Sequence, residues 1–203
     1  STIQSHQTYY FKVEPIKWRV LEEADGTYTL LSEYIIDKQV FYTYSGDRTI
    51  GDQTIYANNY EHSTIREWLN NAFYNKAFSS LEKGSILTTL VDNSASTTAY
   101  STNPYFSNNT MDKLYLLSYQ ESISSTYGFS TSSTRRAVTT DYARAVGAYM
   151  STSTSYYGNG YWCLRSPNNS PSNYALGVDD DGCIDSYYVI SSNKGARPAI
   201  KIG

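Results

Sequence analysis

Histidine and cysteine, the side chains that most often supply catalytic bases, nucleophiles and zinc ligands, are scarce in this chain of 203 residues. His6 lies near the start of the chain, and His62 directly precedes a predicted helix. Cys163 and Cys183 have the spacing of no common zinc site, and the sequence leaves open whether they form a disulfide. No G-x-S-x-G, Walker A, G-x-G-x-x-G or H-E-x-x-H motif occurs. We therefore predict no catalytic residue, no metal site and no cofactor.

Two groups of charged residues could bind a ligand without catalysing a reaction. The run Asp179–Gly182 clusters oxygen ligands, but it lacks the spacing and closing Glu of an EF-hand, so a polar turn is favoured over a calcium site. Arg135, Arg136 and Arg165 could hold an anion. Pairing of each arginine with a carboxylate or a carbonyl is the favoured interpretation.

The composition is unusual in its 22 tyrosines and its low charged fraction of 17%. Tyr, Ser, Asn and Gly together are typical of binding surfaces, although Tyr is also common in ordinary β-strands. The net charge of −3 gives no reason to expect a nucleic-acid partner. No apolar run is long enough to span a membrane, and the first residues lack a signal-peptide layout, so we predict no membrane insertion.

Hydrophobic periodicity predicts an α+β domain of short antiparallel strands, one or two helices and long loops. The segment Pro15–Ser32 predicts a β-hairpin that turns at Asp25 and Gly26, with Ile16, Trp18 and Val20 on one face. Further strands are predicted at 86–91, 114–117, 161–164, 175–178, 183–190 and 197–202, and a long surface loop at 92–110.

One strong helix is predicted over residues 63–78. Ile65, Trp68, Leu69, Ala72 and Phe73 recur at helical spacing, and Thr64 and Glu67 have the spacing of a capping box. Ser79 and Glu82 have the same spacing and predict a second short helix, and a short helix or turn is predicted near residues 139–149.

Six words occur in order along the chain: PIKWRVLE, TLLSEYIID, YEHSTIREWLNNAFYNKAF, DKLYLLS, YWCLRSP and GARPAI. This order resembles a bacterial and phage domain family with WLRSP and G-V-R-P-A words, which is similar to the C-type-lectin-fold variable proteins of diversity-generating retroelements. This chain departs from the family's motifs at two positions. Cys163 stands between Trp162 and Leu164 in the motif that corresponds to WLRSP, and Ala196 stands in place of the commoner Val in GARPAI. The resemblance covers about Pro15 to Ile202.

The resemblance implies a single C-type-lectin-like domain over residues 1–203, with a variable ligand-binding region at 161–193. Residues 1–14 are then expected to be a loosely ordered start or an excised junction. In such systems adenine-directed mutagenesis of Asn codons never yields Lys, Glu, Gln, Met or Trp, and none of these occurs from Asn168 to Asn193. Trp162, Leu164, Val178, Ile184 and Ile200 are expected to be core residues that support this region.

The resemblance further implies a receptor-binding or adhesin domain, not an enzyme, located outside the cell on a bacterial surface or a phage virion. Its partner would be a protein or glycan on a target cell, and oligomers could form through parts outside this chain. The side chains expected to alternate with the core and form one exposed ligand-binding face are Tyr161, Asn168, Asn169, Ser172, Asn173, Tyr174, Asp179, Asp180, Asp185, Ser186, Tyr187 and Tyr188.

Two other functions stay open at this point. One is a conventional carbohydrate-binding lectin with a static site, although the E-P-N, Q-P-D and W-N-D calcium words are missing. The other is an oxidase of the formylglycine-generating type, which shares this fold and uses a pair of cysteines. The isolated Cys163 and Cys183 fit that chemistry poorly.

Overall fold

A computed structural model of the chain describes residues 6–203 and has the predicted α+β architecture. The strands are β1 (Trp18–Ala24), β2 (Thr27–Ser32), β3 (Asp37–Lys38), β4 (Arg48–Ile50), β5 (Gln53–Ile55), β6 (Thr89–Val91), β7 (Thr110–Asp112), β8 (Trp162–Pro167), β9 (Tyr174–Val178), β10 (Ile184–Tyr188), β11 (Gly195–Ala196) and β12 (Ala199–Ile202). The helices are α1 (Thr64–Trp68), α2 (Tyr74–Ala77), α3 (Ser80–Ser85), α4 (Tyr119–Ser122), α5 (Ser132–Arg135) and α6 (Asp141–Ala145).

Within residues 6–203 the helices are shorter and more numerous than the one or two that periodicity predicts. A π-helical segment, Leu69–Phe73, joins α1 to α2, and Ala95–Thr97 forms a 3₁₀ turn. Residues 1–14 are predicted to be a loosely ordered start or an excised junction. Residues 1–5 lie outside the described part of the chain, and residues 6–14 contain no helix or strand. No helix among the described residues is long and apolar enough to cross a membrane.

The predicted hairpin is confirmed: β1 and β2 pair antiparallel around Asp25 and Gly26, whose φ angles are 51° and 73°. The predicted face of β1 is wrong at Val20, which is 58% exposed, while Leu21 is buried. A bulge between Val20 and Glu22 adds one residue to the strand and reverses the alternation of side chains. β12 pairs with β2 and completes a three-stranded sheet.

The strong helix is confirmed, but its first residue and its apolar face differ from the prediction. Ser63, not Thr64, is the N-cap, and its hydroxyl accepts a hydrogen bond from the Arg66 amide at 3.2 Å. The π-helical turn widens the helix and shifts the phase of its side chains, so Ala72 is exposed although Leu69 is buried. The capping box of Ser79 and Glu82 forms as predicted at the start of α3.

The C-terminal strands form a five-stranded sheet in the order β10-β9-β8-β11-β3, in which only the β8–β11 pair is parallel. Cross-strand partners share a face of a sheet. Cys163, Ala175 and Tyr187 therefore lie on one face, here called the Cys163 face, which packs on a core cluster that includes Ile65 and Leu69.

The opposite face of this sheet, here called the Trp162 face, carries Trp162, Leu164 and Val178. It packs on a second core cluster that includes Leu31 and Leu117. The sheet thus lies between two halves of the core. Four of the five predicted core anchors are buried, and Ile184, near the end of the edge strand β10, is half-buried.

Residues 114–117 were predicted to form a strand, and they are all buried. They form no named strand, and Tyr115 makes a single bridge to Ala199. The apolar run therefore marks core-facing extended chain between the two sheets. Its burial, which the hydrophobicity predicted, does not require a continuous ladder of hydrogen bonds.

Candidate functional site

Two buried arginines hold the region 161–193: Arg165 lies in β8, near its start, and Arg197 lies just beyond its end, in the link between β11 and β12. Arg197 donates from Nε to the Ser32 carbonyl at 2.9 Å, and its guanidinium lies 4.9 Å from the centre of the Trp162 ring. Burial lowers the pKa of Arg197 to about 9. Arg165 forms an ion pair with Glu121 and donates to the Leu116 carbonyl at 2.7 Å. Both arginines therefore tie this end of the chain to backbone outside the five-stranded sheet.

The turn between β9 and β10 is also held from outside. Arg135 donates to the Gly182 carbonyl at 2.8 Å, and Arg136 donates to the Asp181 carbonyl at 2.9 Å. Asn159 donates to the Asp180 carbonyl at 2.9 Å. The favoured interpretations, a polar turn and arginines paired with carbonyls, are therefore those found. Among residues 6–203 no group of three His, Cys, Asp or Glu side chains could hold a metal ion.

Four of the predicted ligand-binding residues come together around Lys194. The Lys194 ammonium lies 4.0 Å from the centre of the Tyr161 ring, and this ring stacks on Tyr149 with 4.3 Å between ring centres. Asp179, Asp180 and Asp185 surround this pair with negative charge. These six residues, Tyr149, Tyr161, Asp179, Asp180, Asp185 and Lys194, are here called the Lys194 cluster.

Partial burial shapes the electrostatics of the Lys194 cluster. It lowers the pKa of Lys194, although Asp179 and Asp185 oppose the shift. It raises the pKa of Asp179. Burial, followed by the charges of Asp180 and Asp179, raises the pKa of Tyr161 to about 12. An aromatic stack, a cation and three carboxylates meet at the surface. The cluster therefore offers an apolar platform together with positive and negative groups at fixed positions.

A second group of predicted residues lies in the loop between β8 and β9. Ser172 donates to the Asp47 carboxylate at 3.1 Å, and its carbonyl accepts from the Asn58 amide at 2.9 Å. The Asn173 carbonyl accepts from the Val189 amide at 3.0 Å. Asn169 is exposed, whereas Asn168, Ser172 and Asn173 are half-buried. This loop is tied to the body of the molecule through its backbone.

The prediction of one exposed face is wrong along β10. Ser186, Tyr188 and their neighbour Tyr174 lie on the Trp162 face, whereas Asp185 and Tyr187 lie on the Cys163 face. Consecutive residues of a strand point to opposite faces, so Asp185 through Tyr188 cannot form one surface. Most of the twelve predicted residues are half-buried rather than exposed.

Tyr187 is the clearest correction, because it is only 6% exposed and belongs to the core cluster on the Cys163 face. Its ring lies against Gly177 on the neighbouring strand. Its hydroxyl lies beside the Cys163 thiol, a weak hydrogen-bonding group, and has no other hydrogen-bond partner among the described residues. Burial raises the pKa of Tyr187 well above its ordinary value. Tyr187 therefore packs in the core beneath the site and does not lie at the surface.

Sequence reasoning missed Lys194 and Tyr149. Lys194 is the single basic residue between Arg165 and Arg197, in a stretch with four aspartates, and this isolated cation was a readable signal. Tyr149 comes from a loop outside the predicted region. Its amide donates to the Asn193 carbonyl at 2.9 Å, a contact that only the tertiary structure creates.

The two cysteines differ sharply in environment and do not form a disulfide with each other. Cys163 is buried, which raises its pKa to about 12, while Cys183 is exposed. We expect a thiol-specific reagent to label one cysteine per native chain and two in denaturant, because the reactive species is an accessible thiolate. A Cys183→Ser variant should leave no reactive thiol in the native protein. Labelling of Cys163 at the native rate of Cys183 would contradict its burial.

The fold and the site together define an α+β domain. Its buried strands β8 and β11 support a C-terminal surface that combines aromatic rings, a lysine and carboxylates. The chain belongs to the family described as a domain of unknown function, DUF6273, which matches residues 25–203. Comparison with curated proteins and with solved structures gives no match.

Proposed function

We propose that this chain is a non-enzymatic receptor-binding or adhesin domain with a C-type-lectin-like fold and a C-terminal surface diversified by a retroelement. Its partner is a protein or glycan on a target cell. The domain acts outside the cell, on a bacterial surface or a phage virion. We assign ligand contact to the Lys194 cluster, in which Asp179, Asp180 and Asp185 belong to the diversified region while Tyr149 and Lys194 lie outside it.

One observation carries this proposal. The segment 168–193, which contains no Lys, Glu, Gln, Met or Trp, lies between the buried strands β8 and β11, and these two strands pair with each other. β8 pairs with β11 through Gly195 and Trp162, so both ends of the segment are fixed in the core. Exposed side chains usually change stability by no more than about 0.5 kcal/mol when they are replaced. A segment fixed in this way can therefore change its outer side chains without unfolding the domain.

The structure also limits which positions such diversification can use. Gly177 has no room for a Cβ, which would lie 2.9 Å from the Trp162 carbonyl oxygen and 3.0 Å from the Tyr187 ring. Gly182 and Tyr187 are constrained by packing in the same way. The proposal therefore requires that these three positions stay constant while Asn169, Asp180 and similar outer positions vary.

The DNA that surrounds the gene tests the diversification. We expect a near-copy of the codons for the C-terminal region, with adenines at the Asn, Ser and Tyr codons, beside a gene for a reverse transcriptase. The codons that differ between the gene and the near-copy should lie at the outer positions and not at Gly177, Gly182 or Tyr187. If neither the near-copy nor the reverse transcriptase gene exists, the static carbohydrate-binding lectin becomes the better explanation.

Ligand contact at the Lys194 cluster is tested on protein and glycan arrays. A Tyr161→Ala/Asp185→Ala variant should lose at least tenfold in affinity for any ligand of the native protein, because it removes the half-buried aromatic platform and one exposed carboxylate. A Tyr44→Ala/Asp52→Ala variant removes the same residue types from exposed positions elsewhere and should bind normally. Equal binding by both variants would remove the Lys194 cluster from the proposal.

The oxidase alternative is disfavoured by the cysteine environments. A thiol whose pKa is raised to about 12 is almost entirely protonated at neutral pH, and Cys163 is closed to solvent. An oxidase would need both thiols at an accessible centre. Replacing both cysteines by serine and assaying peptide-cysteine oxidation would test this alternative directly.

A further inference from the structure

A cleft of about 300 Å³ lies away from the region 168–193, between β6, α4 and β8. Its volume is at the lower end of the range of about 300–1,000 Å³ for small-molecule sites, so it fits only a small ligand. The residues that matter for its chemistry are Thr89, Leu90, Tyr115, Gln120, Glu121 and Arg165. No residue of the Lys194 cluster lines it.

Two polar atoms of the cleft lining lack partners within the described part of the chain. Arg165 Nε and Thr89 Oγ1 are both buried and make no hydrogen bond. The Arg165 side chain is only 4% exposed, while its other two nitrogens bind carbonyls and Glu121. A buried donor without a partner destabilises the folded protein by about 1–3 kcal/mol. A ligand that forms hydrogen bonds with these atoms would remove that destabilisation, which favours binding. Neither atom is open to solvent, so a small side-chain shift must accompany entry of the ligand.

The charges of the cleft favour a neutral ligand. The guanidinium of Arg165 is already neutralised by Glu121, and Asp92, which also lines the cleft, adds a negative charge. An anion would therefore meet no net positive charge. The unpaired Arg165 Nε is a donor, the Glu121 carboxylate is an acceptor, and the Thr89 hydroxyl can be either. Adjacent hydroxyl groups, which donate and accept at once, match this combination.

The lining also supplies apolar contact. Leu90, which is 64% exposed, and Tyr115, which is only 5% exposed, are both among the residues that line the cleft. An apolar side chain and an aromatic ring beside polar groups suit the C–H faces of a sugar ring. The cleft contains no group of three metal-ligating side chains, as holds for all of residues 6–203.

We propose that this cleft binds a neutral polyhydroxylated ligand of the size of a single sugar ring, without a metal ion. Arg165 Nε and Thr89 Oγ1 pair with ligand hydroxyls, Glu121 and Gln120 accept from them at the rim, and Leu90 and Tyr115 contact the ring. This site is independent of the proposed function, because it uses no residue of the segment 168–193.

Saturation-transfer NMR with glucose, galactose, mannose and N-acetylglucosamine tests the site. We expect at least one of these sugars to bind at millimolar concentration, with no change when a chelator is added. Thr89→Val keeps the shape of the side chain but removes its hydroxyl, and it should weaken binding about fivefold. Gln120→Ala should weaken binding as well.

The matched control is Thr54→Val, which makes the same change at an exposed threonine of β5 and should bind like the native protein. Thermal melting of all three variants separates loss of a ligand contact from loss of the fold. The proposal is overturned if none of the four sugars binds, if Thr89→Val binds as tightly as Thr54→Val, or if the chelator abolishes binding. Variants of the Lys194 cluster should keep their sugar binding, which separates this site from the proposed function.

Discussion

Replacing Gly182 by alanine is expected to destabilise the protein by at least about 3 kcal/mol, enough to unfold a domain of marginal stability. A Cβ at this position would lie 1.8 Å from the Ser132 carbonyl oxygen and 2.6 Å from the Ser132 carbonyl carbon. The φ angle of 87° adds a backbone penalty of about 1 kcal/mol for any residue with a side chain. Neither neighbouring backbone can move away cheaply.

Gly51→Ala is the matched control. Gly51 has a φ angle of 59°, but a Cβ there would meet nothing within 4 Å. This variant therefore isolates the backbone penalty, and we expect a loss of only about 1 kcal/mol. Urea unfolding of both variants measures the difference. Equal losses would mean that the turn between β9 and β10 can move away from Ser132, and the claim that Gly182 must stay constant would then be wrong.

Replacing Tyr187 by alanine is expected to cost about 3–5 kcal/mol, the typical cost of removing a buried aromatic ring. The ring belongs to the core cluster on the Cys163 face and packs over Gly177, so the cavity would open between the edge of the sheet and the core. The free energy of unfolding, from urea denaturation, gives the measurement. The prediction opposes the sequence-based assignment of Tyr187 to the ligand-binding face.

Two further substitutions make this result specific. Tyr188→Ala, at the next position of β10, changes a half-buried ring on the opposite face and should cost about 1 kcal/mol. Tyr187→Phe removes only a buried hydroxyl whose one polar neighbour among the described residues is the weakly hydrogen-bonding Cys163 thiol, so it should be close to neutral. A Tyr187→Ala variant as stable as Tyr188→Ala would place Tyr187 on the surface after all.

Tyr187 and Tyr188 show why the candidate site could be predicted only in part. The composition from Asn168 to Asn193 suggested a surface segment, and the short strands and the polar turn within it are present. A run such as Asp185 through Tyr188, however, contains no hydrophobic residue that would reveal which side faces the core. Tyrosine is amphipathic, so Tyr187 and Tyr188 look alike in the sequence.

Local signals were sufficient wherever a few adjacent residues determine the backbone. Asp25 and Gly26 specify the hairpin turn, and Ser79 with Glu82 specifies the start of α3, because each hydrogen bond or positive φ involves neighbours in the chain. The bulge at Val20 and the π-helical turn at 69–73 were not predictable in this way. Each shifts the phase of a regular pattern by one residue for the sake of packing on distant strands.

The sequence by itself determined the α+β class, the hairpin, the helix that follows residue 63, the capped start of α3 and the burial of Trp162 and Leu164. Only the tertiary structure decided which side chains of the C-terminal region share a surface. Lys194 meets Tyr161 and Tyr149 because β11 pairs with β8 and the loop before β8 folds back on residue 193. Such contacts depend on sheet order and cross-strand register, which join residues far apart in the chain and leave no periodic trace in its sequence.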